Sequence, residues 1–162
     1  MAHRTGLFLN DNLEYINMRG MKRYFRAVID GATRSWEQNV VIYSPEIKDC
    51  GQAKYIRALE WHGKQPLRLN QAIVSCLRLI YRAKVLFNAY YTNVKSTASQ
   101  VFTLYDMTPE MLPEYFSPDY PGHRRFMAEK KRCVEQAALV YSISENTARD
   151  AANYYPHLDA CK

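Results

Sequence analysis

The sequence predicts an α/β domain of the Rossmann-like kind, a parallel sheet with helices on both faces, on three observations. Short runs rich in β-branched and aromatic residues alternate with longer stretches whose apolar residues recur every three or four positions. That is the pattern of strands joined by crossover helices. The strand runs are apolar at consecutive positions, as befits strands covered on both sides. Finally, 162 residues with 48% hydrophobic composition suit one domain with a sizeable core, so residues 1–162 read as a single unit with no repeat or linker.

The elements follow in order. GLFLN, from Gly6 to Asn10, is a first strand, and the loop DNLEYINMRG leads from it into a helix spanning Gly20 to about Arg34. There Met21, Tyr24, Phe25, Val28, Ile29 and Ala32 share one face, with Lys22, Arg26, Asp30 and Arg34 elsewhere. NVVIYS (Asn39–Ser44), closed by Pro45, is a second buried strand, and YIRALEW (Tyr55–Trp61) is a candidate for another. From Pro66 to Lys84 a long amphipathic helix places Leu69, Ala72, Ile73, Cys76, Leu77, Ile80 and Ala83 on one face, opposite Gln71, Ser75, Arg78 and Arg82. VLFNA (Val85–Ala89) and VFTLY (Val101–Tyr105) are two more buried strands around the polar loop YYTNVKSTASQ. HRRFMAEKKRCVEQAA (His123–Ala138) is helical by pattern, with His123, Arg124, Arg125, Lys130, Lys131 and Arg132 read as a charged outer face. LVYSI (Leu139–Ile143) is a strand, and SENTARDAANYY opens a last helix with two candidate starts, a Ser142–Glu145 capping box or Ser144 as N-cap.

Composition narrows the function classes. Cys50, Cys76, Cys133 and Cys161 show neither a C-x-x-C pair nor a histidine at ligand spacing, so the expectation is reduced thiols with no metal site and no disulfide framework. No apolar run approaches the roughly 20 residues of a spanning helix, and the start lacks a signal-peptide layout, which points to a cytoplasmic protein. The net charge of +6 favours phosphate-bearing or polyanionic partners or an anionic membrane surface.

In open parallel α/β sheets the loops beyond the carboxyl ends of the strands form the ligand crevice, and helix N-termini there present N–H groups and a positive dipole end. The strand ends of this chain carry Asn10 and Asp11, Tyr90 to Thr92, Asp106, and Ser144 with Glu145. Asp106 stands where VFTLY gives way to the acid-bearing, proline-interrupted segment DMTPEMLPEYF. Loop solvation accounts for one such end, whereas four loaded ends point to a shared site. Capping of the following turn is the simpler role for Asp106 and is compatible with lining that site.

At these residues the chain resembles the amino-terminal domain of the family 4 glycosyltransferases, retaining enzymes of the two-domain GT-B architecture. The matching pieces run through nearly the whole chain in family order: RGMKRYFRAVIDG against a G-G-I-x-R-Y helix start, NAYYT, FTLYDMTPE against F-T-x-H-D-x-I-P-E, HRRFMAEKKRCVEQAALV, and SISENTARD against a v-S-x-x-T-x-x-D signature. The chain departs from the family at Arg19, where a first glycine is usual, and at Tyr105, where many members have histidine.

The resemblance implies transfer of a sugar from a nucleotide diphosphate donor to a saccharide or lipid-linked acceptor, with no metal or other cofactor, in surface polysaccharide synthesis. This half would bind the acceptor, at the inner face of an anionic membrane for a lipid-linked one. By position, Arg19 and Gly20 would lie near the donor phosphates with Arg23 supporting that loop. Asp106, as the catalytic candidate, and Glu110 would line the acceptor side. Ser144, Glu145 and Thr147 would form the cleft floor. From the residues themselves, Tyr90, Tyr91, Tyr105, Tyr115 and Tyr120 are candidates either to stack on a sugar or, as readily, to pack at the strand ends. In the family a second domain binds the donor through two glutamates eight positions apart, a spacing that no pair of glutamates here has. The 162 residues alone are therefore expected to be inactive without that domain. Two other classes compete. A nucleic-acid-binding module would use the charge and aromatics but lacks a recognition signature, so no nucleic acid is expected. A signalling or interaction module would use Asp106 as a strand-end acid, with Asn10 and Asp11 partly mimicking a phospho-receiver pair.

Overall fold

The computed structural model describes residues 7–10, 19–36, 40–44, 53–58, 67–91, 96–116, 121–156 and 158. The strands are β1 (Leu7–Asn10), β2 (Val40–Ser44), β3 (Lys54–Arg57), β4 (Val85–Asn88), β5 (Ser99–Leu104) and β6 (Leu139–Ser142). The helices are α1 (Arg19–Trp36), α2 (Leu67–Ile80), α3 (Thr108–Met111), α4 (Pro121–Gln136) and α5 (Glu145–Tyr154), with a 3-10 turn over Pro113–Tyr115. All six strands pair in parallel in the order β3-β2-β1-β4-β5-β6. The fold is α/β and Rossmann-like. Chain order reverses between β1 and β4, the switch point beside which such sheets open their crevice.

The side-chain period of two explains how consecutive apolar residues serve two cores. On one face Val40, Ile42, Phe87 and Val101 pack against Phe25 and Ile29 of α1. On the other, Val41, Tyr43 and Leu86 pack against Val74 of α2. The register Asn88↔Phe102↔Val140 keeps Phe102, Leu104 and Val140 on that second face, where they meet Cys133 and Val134 of α4 and Ala151 of α5. Burying a side chain such as Phe25 or Leu86 contributes about 1.5–3 kcal/mol, so the sheet is held chiefly by its two greasy faces. The Cys133 thiol is sealed in this second core, and burial pushes its pKa up, which makes it inert.

Three sequence expectations need correction. Helix α2 ends at Ile80, four residues earlier than its apolar spacing suggests. Arg82, with φ of 51°, takes the left-handed position while its N–H donates to Leu79 O (3.2 Å) and that of Ala83 to Arg78 O (3.0 Å), a Schellman closure usually marked by glycine. The buried side of α2 is also rotated: Asn70 and Val74 are buried, whereas Leu69, Cys76 and Ile80 are exposed. The cause is polar, for the Tyr43 hydroxyl donates to Asn70 Oδ1 inside the core. Finally, β3 runs from Lys54 to Arg57, starting one residue before the stretch assigned to Tyr55–Trp61 and ending within it, with Ala58 buried after it. Leu59 to Trp61 lie outside the described residues, as do Gly6, Asp11 and the loop ahead of α1. Helices α1 and α4 match the expected spans to within two residues at each end.

Two glycines of α1 give a paired test. A Cβ at either Gly20 or Gly31 would meet nothing within 4 Å, so neither is required by packing. Gly31→Ala, mid-helix, is expected to stabilise the fold by about 0.5–1 kcal/mol, read as a higher denaturation midpoint. Gly20→Ala should leave stability level or raised by less. If Gly20 admits a phosphate close to the backbone, the added methyl weakens phosphate-bearing ligands while Gly31→Ala does not.

Candidate functional site

The site assembles at the carboxyl edge of the sheet, where β4 and β5 run out and α1, α4 and α5 begin or end. Asp106 follows β5 and its carboxylate is exposed; Oδ1 accepts from the Thr108 N–H at 3.0 Å, which starts the short helix α3. Asp106 therefore does cap the turn, and the rest of its carboxylate faces outward from the strand end.

Beneath it lies a buried ion pair. Lys130 Nζ stands 2.7 Å from Glu110 Oε2 and donates to the Asp106 backbone carbonyl, also at 2.7 Å. Their side chains are 1% and 0% exposed. The Tyr155 hydroxyl donates to Glu110 Oε1 at 3.1 Å, and the Lys130 ammonium sits 5.5 Å from the Tyr91 ring centroid. Each charge is thus matched by an opposite charge and by further polar groups, the condition under which a buried pair is tolerable. Lys130 was expected on a charged outer face; instead it reaches inward and fastens the Asp106 loop to α4. Glu110, expected to line the acceptor side, is spent in this lock, and its carboxylate is closed to solvent.

Tyrosines form the wall. Tyr105 and Tyr91 are buried, the former donating its hydroxyl to Ala89 O (2.8 Å) and its N–H to Tyr91 OH (3.4 Å). Tyr90, half-buried, lies 4.7 Å from Tyr91 and 6.3 Å from Tyr105 between ring centroids, and Tyr24 of α1 meets Tyr105 edge-on at 6.2 Å. Phe126 of α4 closes the cluster against both Tyr90 and Tyr91. The packing leaves Tyr91 and Tyr105 little face for a ligand; Tyr90 retains some.

Burial raises the Tyr91 phenol well above its ordinary pKa, with Asp106 adding to the effect, and raises Tyr90 for the same two reasons. Burial, then the Glu110 carboxylate, raises Tyr155. In the unfolded chain these phenols ionise near pH 10, so the folded state holds protons that the unfolded state has lost. Their contribution is complete below about pH 10 and falls above it, by up to about 1.4 kcal/mol per pH unit each for the buried Tyr91 and Tyr155 and by much less for the half-exposed Tyr90. Urea midpoints should therefore hold up to about pH 10 and drop from there toward about pH 11, less steeply in Tyr155→Phe. A Tyr155→Phe variant with the wild-type slope would contradict this.

The remaining residues divide. Ser144 is the N-cap of α5: its Oγ accepts from the Thr147 N–H at 3.1 Å and lies 3.0 Å from Thr147 Oγ1. This selects Ser144 over the Ser142 box, and the Ile143 N–H bonded to Leu104 O (3.2 Å) holds the turn beside the β5 end. Thr147 is buried, while Ser144 and Glu145 are exposed. Arg19 and Gly20 open α1 on this same edge, and Arg23 is exposed one turn on; Tyr24 on Tyr105 is the contact that ties that turn to β5. Among the described residues no hydrogen bond or ion pair joins Arg23 to Asp106, and no group of three metal-ligating side chains occurs. No family model matches this chain, and no curated protein matches it either.

Proposed function

We propose that this domain is the acceptor-binding half of a retaining glycosyltransferase of GT-B architecture, working with a donor-binding domain to move a sugar from a nucleotide diphosphate to a saccharide or lipid-linked hydroxyl. The observation that carries the reading is Asp106: an exposed carboxylate at the carboxyl end of β5, on a loop fixed from below by Lys130. A carboxylate there accepts hydrogen bonds from sugar hydroxyls, which is what orienting an acceptor requires. The half-exposed Tyr90 beside it offers a ring face for a pyranose. The start of α1, with open space above Gly20, provides backbone N–H groups for phosphate oxygens, and Arg23 adds charge on the same turn. Ser144 and Glu145 border the cleft from α5, and Thr147 supports them.

The second domain supplies the donor contacts, so the domain is expected to bind saccharide without turnover. The test asks whether the same or the adjacent reading frame encodes a donor-binding domain, combines the two and follows release of nucleoside diphosphate. Release that needs both pieces and an acceptor supports the reading. Turnover by the 162 residues alone, or no release from the combination with any sugar nucleotide, contradicts it.

A further inference from the structure

We infer that the outward side of α2 is a docking surface for a partner helix whose apolar stripe is edged by carboxylates. Helix α2 is apolar on two sides. Val74 sits in the core with Ile73 and Leu77 packed beside it, while Leu69, Ala72, Cys76, Leu79 and Ile80 are exposed. Leu69, Leu79 and Ile80 are 51%, 62% and 68% exposed, and steps of three and four positions through Ala72 and Cys76 join them into one stripe. The polar residues of α2 do not cover it: Gln71 and Ser75 are half-buried, and the Ser75 hydroxyl donates to Gln71 O at 3.0 Å. A helix apolar on both sides is ordinarily a covered one, and a contiguous apolar patch on a surface marks an interaction site.

The profile of the stripe selects a helix as its occupant. Two small residues, Ala72 and Cys76, lie between the larger Leu69 and the pair Leu79 and Ile80, which leaves a saddle that accepts the side-chain ridge of another helix. A bilayer contact would use a convex tip with aromatic anchors, and the stripe contains no aromatic residue.

Charge selects the partner's sign. From Trp61 to Tyr105 the chain has six lysines and arginines and no aspartate or glutamate. Arg78, to one side of the stripe, donates to Thr97 Oγ1 at 3.2 Å, and Arg82 and Lys84 are exposed just past the end of α2. Lys54 of β3 adds a base alongside, 4.9 Å from the Tyr81 ring centroid. The acids do not offset these. On α4, which covers the same face of the sheet, Glu129 is paired with Arg132 and Glu135 with Lys131; Asp30 belongs to α1 on the opposite face. In sequence the nearest acids are Glu60, outside the described residues, and Asp106, which caps Thr108 at the carboxyl edge. A second copy would set these bases against one another with no acid from either α2, whereas carboxylates beside the stripe of a partner helix pair with them. The stripe ends next to the start of β4, away from the Asp106 edge, so a bound helix leaves that edge open and does not depend on its chemistry.

The test is fluorescence anisotropy of labelled helical peptides of about three heptads, with leucine along the seam and either glutamate or lysine at the flanking positions. The Glu-flanked peptide is expected to bind the domain, less tightly as salt rises, and at least about tenfold more tightly than the Lys-flanked one. Leu79→Glu with Ile80→Glu should weaken that binding at least about tenfold, and Arg78→Gln with Arg82→Gln about 2- to 30-fold, the range of two exposed ion pairs. Leu69→Gln, which adds no charge at an exposed position, guards against misfolding and should weaken binding with the melting temperature unchanged. Tyr141→Ser, at an exposed position on β6, should change nothing. Equal binding of the two peptides, binding of neither, a dimer in sedimentation velocity that Leu79→Glu with Ile80→Glu dissolves, or capture of the stripe by phosphatidylglycerol vesicles that the Glu-flanked peptide does not displace would overturn the inference.

Discussion

Lys130→Met is expected to destabilise the domain by about 3–5 kcal/mol, because it leaves the Glu110 carboxylate buried and uncompensated. For a chain of this size that corresponds to a melting temperature lower by about 6–20 °C, a large share of the 5–15 kcal/mol typical of a domain. The effect should be strongly non-additive. Glu110→Gln alone leaves the ammonium buried with carbonyl and amide partners only, whereas Lys130→Met with Glu110→Gln removes both charges and keeps an acceptor for the Tyr155 hydroxyl. The double variant should recover more than about 1 kcal/mol relative to the sum of the singles. Additive losses would mean that the pair is not coupled and that the lock under Asp106 has another basis.

Asp106→Asn separates capping from function. The asparagine oxygen still accepts from the Thr108 N–H, so the stability cost should be well under the ~1 kcal/mol of a lost cap. Binding of a saccharide hydroxyl to a charged acceptor is worth about 1.5–3 kcal/mol, so acceptor affinity, and transfer once a donor domain is supplied, should fall about 10- to 150-fold. The comparison of Tm with acceptor affinity across Asp106→Asn and Asp106→Ala decides the matter. Equal affinity with reduced Tm would leave Asp106 as a cap alone.

Much of the architecture could be read from residue pattern, because strands buried on both faces and crossover helices leave distinct periods. Helix α2 was legible in type but not in orientation: with Leu67, Leu69, Ile73, Val74, Leu77, Leu79 and Ile80 distributed around it, hydrophobicity alone does not fix a face. The Asn70–Tyr43 bond, formed between residues 27 positions apart, fixes it. The end of α2 was hidden because arginine occupies the left-handed position where glycine would have announced it. Lys130 was misread by grouping it with its basic neighbours. Yet Phe126, Lys130, Cys133, Val134 and Ala137 follow the three-four spacing of an apolar stripe, and a lysine within such a stripe requires a buried acid. The identity of that acid, 20 residues earlier, depends on the strand order and could not be read locally. The strand-end placement of Asp106 was visible in the sequence, since a polar residue ending an apolar run has few other places to go, whereas the start of α5 stays open there between Ser142 and Ser144 and is decided only by the Thr147 N–H bond to Ser144 Oγ.

The most direct measurement is a two-dimensional amide NMR titration of the domain with a panel of mono- and oligosaccharides. The account predicts that an acceptor saccharide perturbs amides at one edge of the sheet, including Gly20, Tyr90, Asp106, Thr108 and Ser144, and that Asp106→Asn abolishes the response while Gly31→Ala preserves it. Perturbations confined to other surfaces, or none with any saccharide in the panel, would contradict it.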